Sequence, residues 1–160
     1  MGKKLFHYTN ADALQEILKT KILHLEGEHF VNNQLAYTPQ QIKWLDEQYT
    51  ACGRYVWFTE ANTYNSSTDL KNECGLVIDS DQIEVKKWHY VKRDRKNDAA
   101  FTKVAMENDA AAKAQGDDPY VWWVSSKPID LNTVKFQCFF RPDVMERLQE
   151  NQRNHFQNYE

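Results

Sequence analysis

Two short runs hold most of the side chains that could do chemistry. His7 sits near the end of an apolar run, Leu5-Phe6-His7-Tyr8-Thr9. An aromatic run, Gly53-Arg54-Tyr55-Val56-Trp57-Phe58-Thr59, leads into a polar stretch containing Ser66 and Ser67. An imidazole at a strand end can hold a hydroxyl or carry a proton near neutral pH, and an indole can stack on a planar cation. The carboxylates that could work beside them are Asp117 and Asp118, ahead of the apolar run 120–125, then Glu60 after the aromatic run and Glu73 before the next one. Other chemistries find little support. The five histidines show no spacing that puts two ligands on one helix face, so no metal site is expected. None of Cys52, Cys74 and Cys138 has a nucleophile's local signature, and three scattered cysteines make no disulfide framework. No phosphate-cradling glycine loop and no GxSxG or HExxH pattern occurs.

A basic run closes the inventory. Lys86, Lys87, Lys92, Arg93 and Arg95 are interleaved with Trp88, His89 and Tyr90, a mixture that can meet phosphates and stack on bases. The same run also fits a solvated surface, because net charge over the 160 residues is −3 and the chain as a whole is no polycation.

Periodicity supplies the elements that must position these groups. Lys4 to Tyr8 reads as a strand, and Thr9 or Asn10 can cap a helix over about 11–19 whose face is Leu14, Ile17 and Leu18. Ile22–Leu25 reads as a short strand stopped by Gly27, and Pro39 opens a helix over 39–50. Strands are expected over 54–59, 74–78, 120–125 and 133–140, with a looser one over 83–91. A helical face built on Phe101, Val104 and Ala105 falls between Arg93 and Gly116. A polar helix is expected over 142–160. Helices and strands interleave without regular βαβ alternation, so the expected class is α+β with a mainly antiparallel sheet, as one domain over 1–160 with its core at about 5–140. Hydrophobic residues at 41% and charged residues at 27% are an ordinary globular balance. No apolar run is long enough for a membrane span, and the first sixteen residues have no signal-like stretch, so a cytoplasmic setting is expected.

Taken together, LFHYT and GRYVWFTEANTYNSST resemble the ADP-ribosyltransferase superfamily, in particular the group related to diphtheria toxin and the poly(ADP-ribose) polymerases. That family opens its core with an apolar strand ending in His, then has a Gly-led aromatic strand running into a Ser-rich loop. A last signature lies before an apolar strand near the C-terminus, where this chain has Asp117-Asp118-Pro119-Tyr120-Val121-Trp122-Trp123-Val124. The resemblance implies an ADP-ribosyltransferase-like fold and NAD as substrate, with glycosyl transfer of ADP-ribose to a protein or nucleic-acid acceptor. It implies His7 on the ribose hydroxyls, Trp57 stacked on nicotinamide, Asp118 as the acid in place of the usual Glu, and Tyr8, Thr9, Tyr55, Thr59 and Ser66 lining the pocket. The acceptor would contact Lys86, Lys87, Lys92, Arg93 and Arg95. Tyr8 stands where many members have Gly, and Pro119 stands where their Glu is expected.

A second class of function fits the same scaffold. A non-catalytic binding protein, such as an inhibitor in bacterial or phage conflict, would use the aromatics Trp88, Tyr90, Trp122 and Trp123 as contact surface.

Overall fold

The computed structural model describes residues 2–26, 38–61 and 74–140. The polar helix expected over 142–160, the Gly27 stop, Ser66, Ser67 and Glu73 lie outside the described residues.

The chain begins with strand β1 (Lys4–Thr9) and helix α1 (Ala11–Thr20). Asn10 supplies the cap, its side chain accepting from the Ala13 N–H at 2.8 Å, and Asp12 adds an acid to the first turn, where the helix dipole favours it. Leu14 and Leu18 fall one turn apart and are fully buried, which stabilises the docked helix by about 2 kcal/mol each. Lys21 ends α1 in the left-handed region at φ 62°, its N–H bonding to the Ile17 carbonyl at 2.7 Å. Strand β2 (Ile22–Leu23) follows, then helix α2 (Pro39–Cys52), opened by a Thr38/Gln41 capping box. Strands β3 (Val56–Thr59) and β4 (Cys74–Asp79) come next.

The stretch 83–91 departs from expectation. Only β5 (Lys86–Lys87) is extended, and helix α3 (Trp88–Asp94) starts at once. The reason is Trp88, which is fully buried with its indole N–H on Asp109 Oδ1 at 3.0 Å, so the chain coils to bring the ring inside. Helix α4 (Ala99–Ala114) is capped by Asp98 and buries Phe101, Val104, Ala105 and Ala112. Strands β6 (Trp122–Ser125), β7 (Ile129–Asp130) and β8 (Phe136–Phe140) complete the described chain. The strand expected from Tyr120 begins two residues later, because Pro119–Val121 forms a 3₁₀ turn capped by Asp118.

The fold is α+β. Six antiparallel strands form one sheet in the order β5-β6-β3-β1-β4-β8, and β2 pairs with β7 in a second, two-stranded sheet. Each face of the larger sheet has its own core. On one face Leu5, Phe58, Leu76 and Cys138 pack with Leu14 and Leu18 of α1 and with Leu23, Ile129 and Leu131 of the smaller sheet. On the other, Tyr55 and Val124 pack with Cys52, Trp88, Phe101 and Val104 from α2, α3 and α4.

Gly75 on β4 marks how tightly the centre is built. A Cβ there would stand 2.0 Å from the His7 carbonyl oxygen and 2.7 Å from the Phe139 ring. Backbone at that distance cannot retreat as a side-chain tip can. Gly75→Ala is expected to cost at least about 2 kcal/mol, lowering Tm by at least about 4–8 °C in thermal denaturation followed by circular dichroism.

Candidate functional site

Strand register decides which side chains can share a site. Phe6 pairs with Thr59, so His7 lies opposite Phe58, and Phe58 in turn pairs with Trp123. His7 also pairs with Leu76, and Leu76 with Cys138. Side chains alternate along a strand, so Trp123, Phe58, His7, Leu76 and Cys138 form one row on the α1 face. The next row, on the opposite face, is Val124, Trp57, Tyr8, Gly75 and Phe139.

His7 and Trp57 therefore meet through the sheet rather than in one cleft. The His7 ring lies 5.7 Å from Phe58, and its Nδ1 is 2.8 Å from the Trp57 carbonyl oxygen. Burial holds the imidazole below its usual pKa, with the Trp57 backbone opposing that shift. A carbonyl only accepts, so the neutral ring carries its proton on Nδ1 and donates it there, leaving Nε2 as an acceptor suited to a hydroxyl. The Trp57 ring turns the other way, edge-on to Tyr55, Trp88 and Trp122 with centroids 5.6, 4.8 and 5.5 Å away.

The remaining pocket residues from the sequence divide between the faces. Tyr8 lies on the Trp57 side, where its hydroxyl donates to the Ala61 carbonyl at 2.8 Å and its ring meets Phe139 edge-on. Thr9 ends β1 on the His7 side, its carbonyl accepting from the Cys74 thiol at 3.6 Å. Tyr55 is buried; its hydroxyl donates to the Cys52 carbonyl at 2.9 Å and accepts from Arg95. Thr59 is buried, and its Oγ1 accepts from the Ala61 N–H at 3.0 Å. Asp118 is exposed, and its Oδ1 is taken up by the Tyr120 N–H at 3.0 Å. It serves as the cap of a turn rather than standing beside His7 in the rows above.

Most of the basic run is answered by acids. Lys86 and Arg93 pair with Asp94, Lys92 with Asp109, and Arg95 with Asp98. Lys87 differs: its ammonium stands over the Tyr90 and Trp123 rings at 5.7 and 5.5 Å. Trp88, expected on a contact surface, is fully buried. Tyr90 and Tyr120 are the exposed aromatics of this region, at 38% and 66%.

Two carboxylates stand out in three dimensions. Glu60 follows β3 and is held by Lys3 Nζ at 2.9 Å and by the Trp123 indole N–H at 3.1 Å. It keeps a lowered pKa because Lys3, Trp123 and Lys87 together outweigh the opposing effect of burial. Glu26 went unnoticed in the sequence, being a single acid after a short strand with no motif around it. Its N–H donates to the Tyr55 carbonyl at 2.9 Å, and burial pushes its carboxyl up to about 7, against the pull of Trp57, the Tyr55 backbone and Arg54. The buried Trp57 indole N–H lies near Glu26 but closes no hydrogen bond. The cysteines are buried and form no disulfide, and burial pushes the Cys52 thiol up to about 11, the wrong direction for a nucleophile. Among the described residues no group of three or more His, Cys, Asp or Glu is placed to hold a metal ion.

Glu26 yields a pH prediction. Its carboxyl is protonated more readily in the folded state, at about 7, than at the ordinary 4.5 of the unfolded chain. Stability from this group is therefore complete below pH 4.5 and is lost as pH rises through 7, at a cost on the order of 3 kcal/mol. Glu26→Gln is expected to raise the urea midpoint at pH 8 and to flatten the fall in stability between pH 4.5 and 7. An unchanged profile would contradict the burial described.

Comparison of the chain with protein-family models, with curated proteins and with solved structures finds no match.

Proposed function

We propose that this chain is an NAD-dependent ADP-ribosyltransferase acting in the cytoplasm on a protein or nucleic-acid acceptor. The observation that carries the reading is the order β6-β3-β1 at the heart of the sheet. The three segments on which the sequence resemblance rests lie some fifty and sixty residues apart in the chain, yet they are immediate neighbours, with His7 bonded to the carbonyl of Trp57. No local pairing rule brings such distant strands together.

In the proposed reaction the bond between the ribose C1′ and the nicotinamide nitrogen breaks, and nicotinamide leaves with the electron pair. An acceptor nucleophile then forms the new bond to C1′ and gives up its proton. The sugar becomes cationic on the way, so a fixed anion and oriented hydroxyls lower the barrier. His7 suits the second task through Nε2. Trp57 contributes through its carbonyl, which fixes the ring orientation and tautomer of His7, while Phe58 and Trp123 are the aromatics on the face that His7 shares. Lys87, with no acid within 4.0 Å among the described residues, remains the cation best able to meet an acceptor, while Lys86, Lys92, Arg93 and Arg95 bring charge that is already matched.

One observation favours the binding reading. Tyr120, 66% exposed, lies flat against His89 at 4.5 Å and 8°, and Arg93 covers Tyr90 at 4.7 Å. Pre-stacked aromatics lose little freedom on contact and suit a protein interface.

Labelled NAD incubated with the folded protein and a bacterial lysate separates the two. Transferase activity predicts nicotinamide release and label on macromolecules, both falling about 100-fold in His7→Asn, whose amide can keep the bond to Trp57 but lacks the Nε2 acceptor. Absence of release from folded wild-type protein overturns the transferase reading and favours the binding surface.

A further inference from the structure

Tyr90 and Tyr120 stand exposed beside a lysine that meets no acid. We propose that single-stranded nucleic acid docks on this face, formed by β5, helix α3 and the 3₁₀ turn before β6. Tyr120 stacks on a base there, and Lys87 meets a phosphate. Such binding requires no NAD chemistry, and it narrows the partner class that the transferase reading leaves open.

Three rings from two chain segments make a fixed row. Tyr120 lies flat on His89, with centroids 4.5 Å apart and planes within 8°, and His89 meets Tyr90 edge-on at 4.2 Å. Among the described residues the buried His89 Nδ1 closes no hydrogen bond, so ring contacts hold that side of the imidazole. Tyr120 remains 66% exposed with one ring face covered, which leaves its other face to solvent. Its backbone is tied down as well, because the Tyr120 N–H donates to the Asp118 cap at 3.0 Å. A platform fixed before contact loses little freedom when a base settles on it.

Cations sit beside the rings. Lys87 reaches over Tyr90 and Trp123 at 5.7 and 5.5 Å, and the Arg93 guanidinium covers Tyr90 at 4.7 Å. Lys86 and Arg93 share one acid, Asp94, while Lys87 has none within 4.0 Å among the described residues. Glu60, whose charge Lys87 feels, is already matched by Lys3. The face is therefore locally positive in a chain whose net charge is −3. Arg93 offers Asp94 only its Nε and Nη2, so further N–H groups remain for a phosphate.

This mixture favours one class of partner. The centre of a protein contact is depleted in lysine, whereas Tyr90 here carries both Lys87 and Arg93. Ring faces beside cations suit a chain whose own units join flat bases to phosphates. A duplex hides its base faces in the stack, so only an unpaired strand can use Tyr120.

Fluorescence anisotropy of a labelled oligothymidine of about 12 nucleotides, titrated with the full chain in the absence of NAD, tests the docking. Affinity is expected to fall with salt at a log–log slope of about −1.4, as for two phosphates neutralised on a single strand. Lys87→Gln should weaken binding and bring that slope to about −0.7. Tyr120→Ala should cost about tenfold and leave the slope unchanged, while Tyr120→Phe keeps the ring and should stay within about threefold of wild type. The same sequence as a duplex should bind at least about tenfold more weakly. Circular dichroism verifies the fold of each variant, and both side chains reach the surface, so their replacement spares the core. No binding by folded wild type, wild-type affinity in both Tyr120→Ala and Lys87→Gln, or duplex binding as tight as the strand overturns the proposal. Equal competition by a polyglutamate peptide overturns it too and assigns the face to an acidic protein segment. Nicotinamide release is read separately, so this proposal and the transferase reading can each fail while the other stands.

Discussion

The alternation of side chains along β1 is the constraint on which the site depends. Residues 5, 7 and 9 must face one side of the sheet and residues 6 and 8 the other, for as long as the strand keeps its unbroken ladder from Lys4 to Thr9 against β4. His7 and Tyr8 thus cannot line one pocket by side chain, however adjacent they are in sequence. The same rule divides Phe58 from Trp57 and Trp123 from Trp122. In both of these pairs one ring goes to the α1 core and the other to the core beneath α2, α3 and α4. Gly75 tightens the constraint, because its missing side chain lets β4 approach the His7 carbonyl more closely than any larger residue would allow.

The aromatic core on the Trp57 side shows what such a division makes possible. Trp57, Trp88, Tyr55 and Phe101 meet edge to face, and each such contact adds about 1 kcal/mol to the area that the rings remove from water. Trp88 needs a partner for its N–H in that interior and finds Asp109, whose second oxygen is taken by Lys92. A charge so placed costs less when both its oxygens are bonded. Glu26 is the opposite case: a carboxyl beside the same core that burial pushes towards protonation. Part of the stability that the rings provide is offset there.

Much of this architecture was legible in the sequence because it is local. Asn10 as a cap, the Leu14–Leu18 face, Pro39 at a helix start and the aromatic runs as strands follow from capping chemistry and periodicity, and the structure bears them out. The errors have non-local causes. Ile83–Val91 alternates like a strand, yet its second half coils because one ring, Trp88, is worth more buried against Asp109 and Phe101 than paired at a sheet edge. In the basic run Asp94 and Asp98 pair locally with Arg93 and Arg95, whereas Asp109 meets Lys92 only when helices α3 and α4 pack. Glu26 was opaque for a related reason: a lone acid has no signature, and its raised pKa comes from what the fold sets beside it.

Glu60 illustrates how a sheet brings distant chain segments to one junction. Antiparallel neighbours place the end of β3 against the start of β6, so a residue at either position reaches the same space. The chain has Asp118 and Pro119 on one side of that junction, with the aspartate bound into a turn, and Glu60 on the other, with its carboxylate fixed by groups from the chain start and β6. Glu60 is thereby held at a strand end, and three hydrogen bonds lock residues 59–61 around it.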